Sequence, residues 1–503
     1  MSRNGIPKRA NKPRKSQTTA GFDQDVSPVT VSVVGLGKLG ACMAAAMASR
    51  GVPTIGVDVN ADAVNSIRRK RAPVFEPGLA ELIGNTNGLL NATTDIATAI
   101  QETQITFVVV PTPSNREGAF SLGYVCSAME QIGRALRIKF GYHTVVLTST
   151  VLPGSTEYVV KPLLEEVSGR QCGPDFGLCY SPEFIALGSV LRDFLNPDLL
   201  LIGECDDTAG VCLESFYRKG LRIEAPAKRM APVNAELAKI ALNTYVTTKI
   251  TFANLLAELC ERVPGGDVDA VTEALGMDRR IGARYLKGAL GYGGPCFPRD
   301  NHALACLMEE VGVPADLPRA VDRLNRLQPG RVVSMVDKLT KRTSERIAVL
   351  GLAYKPDTNV VEESQGIAIA LGLIQRGYKV SVFDPAANDA ARRHLGDSVS
   401  YADTIADCIG DAGVIVLATD WPEFRNVLSL TADRVPAPII IDGWRTLRDQ
   451  PVSDDVSYRA IGLNDPNRDA QEHLRQFVVR LTGGEFTSKE RGEPRAVRLA
   501  QGS

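Results

Sequence analysis

Short apolar runs and apolar helical stretches alternate at both ends of this chain. The β-branched run Val31–Val34 enters a glycine turn, and an apolar helical pattern over residues 39–50 follows it. Residues 54–58 then form a second strand-like run that ends in an acid, and residues 347–384 repeat this order near the other end. Such strand–helix–strand crossovers build parallel sheets that helices cover on both faces. The pattern predicts an α/β fold with two doubly wound, Rossmann-like parallel-sheet domains.

Five further apolar runs add strands to the two predicted sheets. Residues 105–110, 144–148 and 199–202 belong to the first half, and residues 414–418 and 439–441 belong to the last third. Strands that are apolar on both faces are typical of a sheet that is buried between two layers of helices. We therefore expect both sheets to be covered on both sides.

The middle of the chain carries a different pattern. Residues 234–262 keep a helical periodicity without proline or glycine, and shorter helical stretches continue to about Leu327. Pro329-Gly330 then marks a boundary. A long helix between two lobes is a natural spine for a homodimer or a higher homo-oligomer. We divide the chain into a disordered tail (1–28), a first Rossmann domain (29–226), a helical central and dimerisation domain (227–330), a second Rossmann-like domain (331–483) and a second disordered tail (484–503).

Composition and charge exclude several classes of protein. The 503 residues include 57 basic and 58 acidic side chains, and a chain with so little net charge does not attract nucleic acid by its overall charge. No apolar run is long enough to span a membrane, and the polar, basic first residues lack the apolar core of a secretory signal. We expect a cytoplasmic protein without a nucleic-acid or membrane partner.

Cysteine and histidine usage limits the chemistry further. The ten cysteines are dispersed without a CxxC pair, which is typical of a reducing compartment rather than of a disulfide scaffold. The four histidines do not pair at the spacing of metal ligands. The sequence therefore predicts no metal site and little acid–base catalysis by histidine.

The first glycine turn has the form of a dinucleotide-binding motif. Its GxGxxG sequence follows a strand and opens a helix, and Asp58 closes the next strand about 20 residues later. The glycines allow the backbone to approach a pyrophosphate at the helix N-terminus, and the acid accepts hydrogen bonds from ribose hydroxyls. Because a carboxylate repels a 2′-phosphate, the motif favours NAD over NADP; the alternative is a structural turn. The predicted contacts are Gly35, Gly37, Lys38, Leu39, Gly40 and Asp58.

Two strand ends in the first half add further candidates for the cofactor site. Pro111-Thr112-Pro113 and Ser149-Thr150 each follow a predicted strand. Ligands of open α/β sheets bind outside the carboxyl ends of the strands, where a threonine hydroxyl reaches ribose or pyrophosphate. Each segment taken alone is equally well explained as an ordinary turn.

The segment Gly291–Asp300 is the most unusual stretch of the chain. Three glycines within four residues let backbone N–H groups approach a ligand, and a helix is predicted to begin near Cys296. A thiol in a first helical turn has a lowered pKa and is a nucleophile, and Asp300 lies on the same helical face. The alternative is a small buried side chain after a glycine loop.

Two more polar groups are candidates for the reaction site. Lys239 and Asn243 lie on one face of the long predicted helix, where both donate hydrogen bonds that suit an oxyanion. Glu183 follows a strand-like run and precedes the apolar Phe184, a setting that raises the pKa of a general base. Taken alone, a Lys/Asn pair is more often part of a solvated helix face, and an acid such as Glu183 is more often an exposed turn residue.

Together these motifs resemble the UDP-glucose/GDP-mannose dehydrogenase family. The resemblance is ordered and extends over nearly all of residues 31–450. It rests on the GxGxxG turn with Asp58, Glu76-Pro77-Gly78-Leu79, Pro111-Thr112-Pro113, Ser149-Thr150-Val151, Ser181-Pro182-Glu183-Phe184, Ala235–Lys239 with Asn243, Gly293–Phe297, Gly351–Lys355 and Asp442–Arg445.

The resemblance implies a four-electron oxidation that uses two NAD in turn. An alcohol becomes an aldehyde, Cys296 adds to it as a thiohemiacetal, and a second oxidation gives a thioester that water hydrolyses. Lys239 and Asn243 would steady the oxygen, Asp300 would assist water or Lys239, and Glu183 would be the base in hydrolysis. Thr150 belongs to the same predicted catalytic set.

The resemblance also implies a nucleotide-sugar substrate that the second Rossmann-like domain holds by its nucleotide. We favour a UDP-sugar, for example UDP-glucose oxidised to UDP-glucuronate as a polysaccharide precursor. Arg280 would reach the substrate of the neighbouring subunit, since the family is typically dimeric or larger through the long central helix. The other predicted substrate contacts are Glu183, Phe184, Lys239, Asn243, Lys287, Tyr292, Gly293, Tyr354, Lys355 and Arg445.

Two departures from the family pattern keep alternatives open. Leu187 stands where relatives commonly carry an acid, and Glu362 stands where they commonly carry an arginine. In the family both positions tend to lie near the cofactor, so these two departures bear on the contacts with NAD. One alternative function is a two-electron hydroxyacid dehydrogenase, which needs no thiolate. Another is a silent protein that binds NAD or a nucleotide sugar without turnover.

Overall fold

The computed structural model describes residues 29–340, 345–453, 455–464 and 468–482. The tails predicted at 1–28 and 484–503 lie outside the described residues. Two parallel-sheet lobes with a helical region between them form the described part of the chain, which confirms the predicted fold class. The limits assigned to the individual domains stay predictions. Among the described helices, none is long and apolar enough to cross a membrane.

The first lobe is built on an eight-stranded sheet with the order β3-β2-β1-β4-β5-β6-β7-β8. All neighbouring strands are parallel except β6 and β7, which pair antiparallel. The six strands from β3 to β6 follow the strand order typical of dinucleotide-binding sheets. The strands are β1 (Val31–Val34), β2 (Thr54–Val57), β3 (Leu90–Thr93), β4 (Ile105–Val108), β5 (Thr144–Leu147), β6 (Gly177–Tyr180), β7 (Leu200–Glu204) and β8 (Ala227–Met230).

Helices cover both faces of this sheet, and each face buries its own apolar core. Phe107 and Phe216 pack on one face, and Met129 and Ile132 pack on the other. The strands are therefore apolar on both sides, as fully covered parallel strands require. The helices are α1 (Lys38–Ser49), α2 (Ala61–Arg68), α3 (Leu79–Gly84), α4 (Ile96–Glu102), α5 (Gly123–Ile138), α6 (Lys161–Ser168), α7 (Val190–Leu195) and α8 (Asp207–Ser215), with π-helical turns at Thr156–Val160 and Phe216–Gly220.

One long helix, α9 (Pro232–Cys260), leaves the first lobe and opens the helical region. Its proline lies in the first turn, where a missing N–H costs nothing. The residues that follow form α10 (Val268–Met277), α11 (Phe297–Glu310), α12 (Asp316–Arg326) and α13 (Gln328–Leu339).

Helix α12 ends at Arg326, and a new helix, α13, begins at Gln328, beside the boundary predicted at Pro329-Gly330. Pro329 occupies the first turn of α13, and this helix continues to Leu339. Val332, Val333 and Val336 of α13 pack into the core of the second lobe. Helix α13 therefore packs as part of the second lobe.

The second lobe is a six-stranded, all-parallel sheet with the order β11-β10-β9-β12-β13-β14. This order is the same as that of the first six strands of the first lobe. Its elements are β9 (Arg346–Leu350), α14 (Gln365–Gln375), β10 (Lys379–Phe383), α15 (Asn388–Leu395), β11 (Ser400–Tyr401), α16 (Ile405–Ile409), β12 (Val414–Leu417), a 3₁₀ turn (Pro422–Asn426), α17 (Val427–Thr431), β13 (Ile439–Asp442), β14 (Ser457–Ala460) and α18 (Arg468–Thr482).

The two lobes repeat each other at the turn after their first strands. Gly35 and Gly351 have φ values of +99° and +105°. The N–H of the residue after each glycine donates to the acid at the end of the next strand, over 2.6 Å to Asp58 and 2.7 Å to Asp384. The lobes then differ, because α1 begins three residues after its glycine whereas α14 begins fourteen residues after its own. We call the extra segment, residues 352–364, the second-lobe loop.

Candidate active site

The glycine-rich turn of the first lobe has the shape that a pyrophosphate requires. A side chain at Gly35 would overlap the backbone of Val109, and one at Gly40 would overlap the carbonyl of Gly35. These two glycines allow the tight turn and the close packing of helix on strand. A side chain at Gly37 would meet no atom within 4 Å, so the backbone there faces open space. The turn thus leaves room for a ligand at the N-terminus of α1.

Asp58 is fixed at the end of β2 next to this turn. One of its carboxylate oxygens accepts from the N–H of Leu36 over 2.6 Å, and the other accepts from the N–H of Asn60 over 2.8 Å. The carboxylate is only half-buried, so it retains lone pairs for a ribose. The glycine turn and this acid therefore fit a dinucleotide without a 2′-phosphate.

Lys38 links the glycine turn to the second lobe. Its Nζ donates to Oδ1 of Asn359 in the second-lobe loop over 2.7 Å. Partial burial lowers the pKa of Lys38, while the carboxylates of Glu362 and Glu76 oppose that shift. Glu362 of the second-lobe loop therefore interacts electrostatically with a cation of the first lobe.

The ends of β4 and β5 are joined by side-chain hydrogen bonds. The Thr112 hydroxyl donates to the Thr150 carbonyl over 2.8 Å. The Ser149 hydroxyl is engaged with the backbone of Val110, donating to its carbonyl over 2.7 Å and accepting from its N–H over 2.9 Å. The Ser149 hydroxyl thus links the ends of β4 and β5, whereas the Thr150 hydroxyl makes no hydrogen bond within the described part of the chain. The flanking prolines, Pro111 and Pro113, are exposed.

Cys296 is the N-cap of α11 and remains accessible to solvent. Protein nevertheless surrounds the thiol on most sides, so it lies in a recess. The expected lowering of its pKa is wrong: burial and the carboxylate of Asp300 raise the pKa of Cys296, and the cations of Lys239 and Arg299 only partly oppose this. The thiol is therefore protonated in the resting protein and needs a base to become a nucleophile.

Three side chains from two helices converge beside this thiol. Asp300, only 4% exposed, accepts over 2.6 Å from the Asn243 amide, and its own N–H donates to the Cys296 carbonyl over 2.9 Å. Burial raises the pKa of Asp300, while Lys239 and Asn243 oppose the shift. Helix α9 thus delivers Lys239 and Asn243, one turn apart, to the first turn of α11.

Glu183 completes this cluster from the first lobe. The ammonium of Lys239 donates to the Glu183 backbone carbonyl over 2.7 Å and lies 4.8 Å from the centre of the Phe184 ring. Burial raises the pKa of the Glu183 carboxyl to about 7, although Lys239 opposes the shift. A carboxyl with such a pKa is half ionised near neutral pH, where a general base works best.

Close packing requires glycine at two of the positions before Cys296. A side chain at Gly293 would overlap the Glu363 carbonyl, and one at Gly294 would overlap the Tyr354 ring. The Gly294 N–H donates to the Glu362 carbonyl over 2.9 Å. The second-lobe loop therefore presses directly on the segment that carries the thiol.

The predicted substrate contacts occupy three different settings. Tyr354 lies against Gly294 and close to Cys296, and half-buried Lys355 lies near Glu76 and Asp193. Lys287 is exposed where the helical region meets the second lobe, with its Nζ 3.5 Å from Asp420 and 5.8 Å from the centre of the Trp444 ring. Tyr354 and Lys355 thus belong to the second-lobe loop, whereas Lys287 lies against the second lobe at another point.

Tyr292 lies beneath the loop instead of at its surface. Its ring is 6% exposed, and its hydroxyl accepts from the Asn301 amide over 2.9 Å. The ring also packs edge-on against Phe297 with the centroids 6.0 Å apart. Its expected contact with substrate is wrong for the side chain, because the phenol is already buried and bonded.

Arg445 also differs from its expected role as a substrate contact. Its guanidinium, 1% exposed, forms a bidentate pair with Asp269 over 2.7 and 2.8 Å and donates to the Ile461 carbonyl over 2.7 Å. All three nitrogens of the guanidinium therefore donate hydrogen bonds to protein groups. Arg445 pins α10 of the helical region to the second lobe. Arg280, in contrast, is 88% exposed and pairs only with Asp278 within the described residues.

Replacing Arg445 with methionine is expected to lower the free energy of unfolding by about 3 kcal/mol, because Asp269 stays partly buried beside one fewer cation. Denaturation in urea, followed by fluorescence of the two tryptophans, measures the loss. Arg425→Met, at an exposed arginine of the same lobe, is the matched control. An Arg445 variant of unchanged stability but with a raised KM for substrate would restore the substrate-contact role.

Sequence reasoning missed several residues that hold the site. Asn359 bonds Lys38, Asp269 pairs with Arg445, and Glu76 accepts from the N–H groups of Gly188 and Val190 over 2.9 and 2.8 Å. Only Glu76 carried a signal, as part of its Glu-Pro-Gly-Leu motif. The others lie in segments whose local pattern does not distinguish them from ordinary surface polar residues.

Leu187 is accounted for by packing. It lies against the apolar cluster of α1 and α3, which includes Ala41, Leu79 and Ile83. A carboxylate would be poorly placed at this position, since it would lie against apolar groups. Within the described residues, no group of three or more histidine, cysteine or acidic side chains is arranged to hold a metal ion.

Comparison with known proteins matches both lobes and the helical region to one enzyme family. The model of the NAD binding domain of the UDP-glucose/GDP-mannose dehydrogenase family matches residues 29–220. The central-domain model of the same family matches residues 233–327, and its UDP binding domain model matches residues 348–449. The three matches follow one another in the expected order and together span well over half of the chain.

Individual relatives agree with these matches. The chain is 36% identical over 421 residues to a UDP-glucose 6-dehydrogenase of Haloferax volcanii, which covers 82% of this chain and 96% of that protein. It is 34% identical over 421 residues to a GDP-mannose 6-dehydrogenase of Azotobacter vinelandii, with coverage of 81% and 94%. Among solved structures, a UDP-glucose dehydrogenase from Pyrobaculum islandicum matches with 35% identity and a TM-score of 0.78, covering 87% of this chain and 98% of its own.

Proposed function

This chain belongs to the UDP-glucose/GDP-mannose dehydrogenase family and is an NAD-dependent nucleotide-sugar 6-dehydrogenase, and from that premise we propose that it oxidises UDP-glucose to UDP-glucuronate. The reaction converts the sugar C6 alcohol into a carboxylate through a covalent intermediate on Cys296. One observation carries this proposal. An accessible thiol lies at the start of α11, next to Asp300 and Lys239, and Lys239 also donates to the backbone carbonyl of Glu183.

The first lobe holds the cofactor in this proposal. Gly35, Gly37 and Gly40 shape the turn for the pyrophosphate, Asp58 receives the ribose hydroxyls, and the free Thr150 hydroxyl faces the same edge of the sheet. When bound, NAD accepts a hydride from the sugar carbon in each of the two oxidation steps. The remaining cofactor contacts are those predicted at Lys38, Leu39, Thr112 and the flanking Pro111, Pro113 and Ser149.

Lys239 and Asn243 act on the substrate oxygen. Both carry N–H groups that donate to an alkoxide or oxyanion as charge develops at C6. Asp300, beside them, accepts the proton that the alcohol releases as it becomes an aldehyde. Its raised pKa makes this carboxylate a stronger base than an exposed aspartate.

Cys296 then converts the aldehyde into a form that can be oxidised again. The sulfur bonds to C6 while the thiol proton moves, by way of a neighbouring carboxylate, to the former aldehyde oxygen, and a thiohemiacetal results. Oxidation of that carbon gives a thioester on Cys296. Glu183 removes a proton from water, which attacks the thioester carbon, and the C–S bond breaks to free the thiol. One alcohol, one water and two NAD⁺ would thus yield one carboxylate, two NADH and three protons.

The second lobe holds the nucleotide in this proposal. Tyr354, Lys355 and Lys287 are partly buried or exposed and offer a ring and two cations to a nucleoside diphosphate. Phe184 and the backbone at Gly293 lie nearer the sugar. UDP is favoured because the region 348–449 matches a UDP binding domain and because the Pyrobaculum UDP-glucose dehydrogenase matches over nearly its full length.

The test supplies NAD with one nucleotide sugar at a time: UDP-glucose, UDP-N-acetylglucosamine, UDP-N-acetylmannosamine or GDP-mannose. We expect two NADH for each UDP-glucose consumed and slower turnover of the other three. One NADH per substrate would support a two-electron dehydrogenase, and no NADH with any sugar would support a silent binding protein. A two-to-one ratio with GDP-mannose alone would retain the mechanism and replace the substrate.

A homodimer through α9 is part of the proposal. Four large apolar side chains of this helix, Tyr245, Phe252, Leu255 and Leu259, are between 40% and 63% exposed. Their spacing of seven, three and four residues places them along one face of the helix. An apolar stripe of this length on a helix is typical of an interface between subunits.

All ten cysteines are free thiols, which supports a location in a reducing compartment such as the cytoplasm.

Arg280 gives the dimer a direct test. If it reaches the partner's site, Arg280→Ala and Cys296→Ala are each inactive as homodimers, but mixed dimers regain one complete site. We expect up to about a quarter of wild-type activity after the two variants are unfolded together and refolded as a mixture. Mixing without subunit exchange is the control. Two variants that stay inactive after verified exchange would place Arg280 in its own subunit's site or outside catalysis.

A further inference from the structure

Arg299 lies in the first turn of α11, three residues after Cys296, and ties that helix to the first lobe. Its guanidinium donates through Nη2 to the Thr112 carbonyl and through Nε to the Ser114 hydroxyl over 3.2 Å. It also lies 5.2 Å from the centre of the Phe120 ring. All three contacts belong to residues 111–120, which leave the carboxyl end of β4 and which we call the β4 loop.

A second contact holds the same loop two helical turns farther along α11. The Cys306 thiol donates to the Glu117 carbonyl over 2.7 Å. A side chain at Gly118 would come within 3.3 Å of that sulfur, so the loop lies directly on the helix. Residues 299 and 306 are seven apart and therefore share one helical face. The β4 loop is thus fixed to the nucleophile's helix at two points.

The chain of contacts continues into the sheet. Thr112, whose carbonyl Arg299 bonds, donates through its hydroxyl to the Thr150 carbonyl over 2.8 Å. Arg299 therefore connects Cys296 through one residue to the carboxyl ends of both β4 and β5. This edge of the sheet is where a dinucleotide lies in such folds. The link spans 187 residues of sequence and is made by a planar fork that lysine does not reproduce.

We propose that Arg299 is a positioning residue that holds the Cys296 sulfur in register with the cofactor edge of the sheet. Two oxidations at one carbon require the aldehyde to stay between the cofactor and the sulfur until the thiohemiacetal forms. A displacement of about 1 Å is enough to cost roughly 100-fold in such a step. Without the fork, the aldehyde is released before the sulfur captures it. The inference rests on the proposed role of Cys296.

The experiment compares Arg299→Lys, Arg299→Met and Ser114→Ala with the wild type. Lysine keeps the charge but loses the fork, and Ser114→Ala removes one hydrogen bond and leaves the arginine. We expect both Arg299 variants to release at least tenfold more aldehyde, trapped with a hydrazine reagent, and to form more than two NADH per carboxylate. Ser114→Ala should give a smaller release. Arg323→Met, at an exposed arginine of α12, is the control.

Alkylation of Cys296 by iodoacetamide in the absence of ligands distinguishes an effect of Arg299 on the position of the thiol from an effect of its charge. The thiol lies near the cations of Lys239 and Arg299 and near Asp300 and Tyr354. Because Arg299→Met removes one of these cations, the pH midpoint of alkylation should move upward in that variant. Arg299→Lys keeps the charge, so the midpoint should move little. Full aldehyde retention in Arg299→Lys would reduce the role to charge and overturn the proposal. Retention in Arg299→Met with only a loss of stability would also overturn it. A wild-type enzyme that makes no carboxylate would instead refute the proposed function.

Discussion

Replacing Cys296 with serine is expected to reduce carboxylate formation from the nucleotide sugar by at least about 10⁴-fold, because the hydroxyl cannot carry the aldehyde into a second oxidation. The first oxidation does not need the sulfur, so the variant should still produce aldehyde and up to one NADH per sugar. Product analysis by mass spectrometry, together with absorbance of NADH, separates the two steps. This ratio tests the covalent mechanism more directly than the overall rate does.

Cys126→Ser provides the matched control, since Cys126 is a partly buried thiol of α5 in the first lobe, away from the cluster around Cys296. We expect it to keep the wild-type ratio of two NADH per carboxylate. If the Cys296 variant formed acid at the wild-type rate, no thioester could lie on the path. The reaction would then proceed by direct hydration of the aldehyde.

Replacing Glu183 with glutamine is expected to slow hydrolysis of the thioester by about 10²- to 10⁴-fold, the usual contribution of a general base. Both oxidation steps precede that hydrolysis, so each active site should form two NADH rapidly and then stop. The intact protein should gain the mass of the acyl group, and its removal by hydroxylamine would identify a thioester. Quenched-flow measurement of NADH gives the size of this burst.

The pH dependence of hydrolysis follows from the same carboxyl. Burial raises the pKa of Glu183 to about 7, so its basic form predominates above that pH and is lost below it. The rate of carboxylate release in the wild type should therefore rise through pH 7 and level off, whereas the Glu183 variant should lack this step. Glu224→Gln, at an exposed acid of the same lobe, is the control. A variant that hydrolyses the thioester normally would assign the base to another group, with Asp300 the nearest candidate.

Local patterns located the glycine-rich turn of the first lobe and the thiol at the start of α11. The GxGxxG turn, the strands beside it and the acid at Asp58 form within about 30 residues, so their geometry depends on glycine conformation and short-range periodicity. Helical spacing likewise placed Lys239 with Asn243, and Cys296 with Asp300, one turn apart. Helix α9 was expected at 234–262 and spans Pro232–Cys260. Both strand–helix–strand repeats and the two-lobe architecture followed from the same reasoning.

Several elements escaped prediction for identifiable reasons. Strands β3, β8, β11 and β14 are short or only partly buried, so they lack the continuous apolar run that marks the central strands. The antiparallel direction of β7 depends on its pairing with β6, which no local pattern encodes. The Pro329-Gly330 pair was interpreted as a boundary, and the helix that begins beside it was not predicted, because proline marks loops as well as the first turn of a helix.

The sequence alone determined which chemistry is present: a dinucleotide turn, a thiol at a helix start, and a lysine, an amide and two carboxylates at helical or strand-end positions. Tertiary structure decided which partners surround these groups and how deeply they are buried. Arg445 pairs with an acid 176 residues away and so supports the fold, and burial beside Asp300 raises the thiol pKa that a helix start alone would lower. Periodicity reports contacts within a few turns, whereas electrostatics and burial depend on groups that only the folded chain brings together.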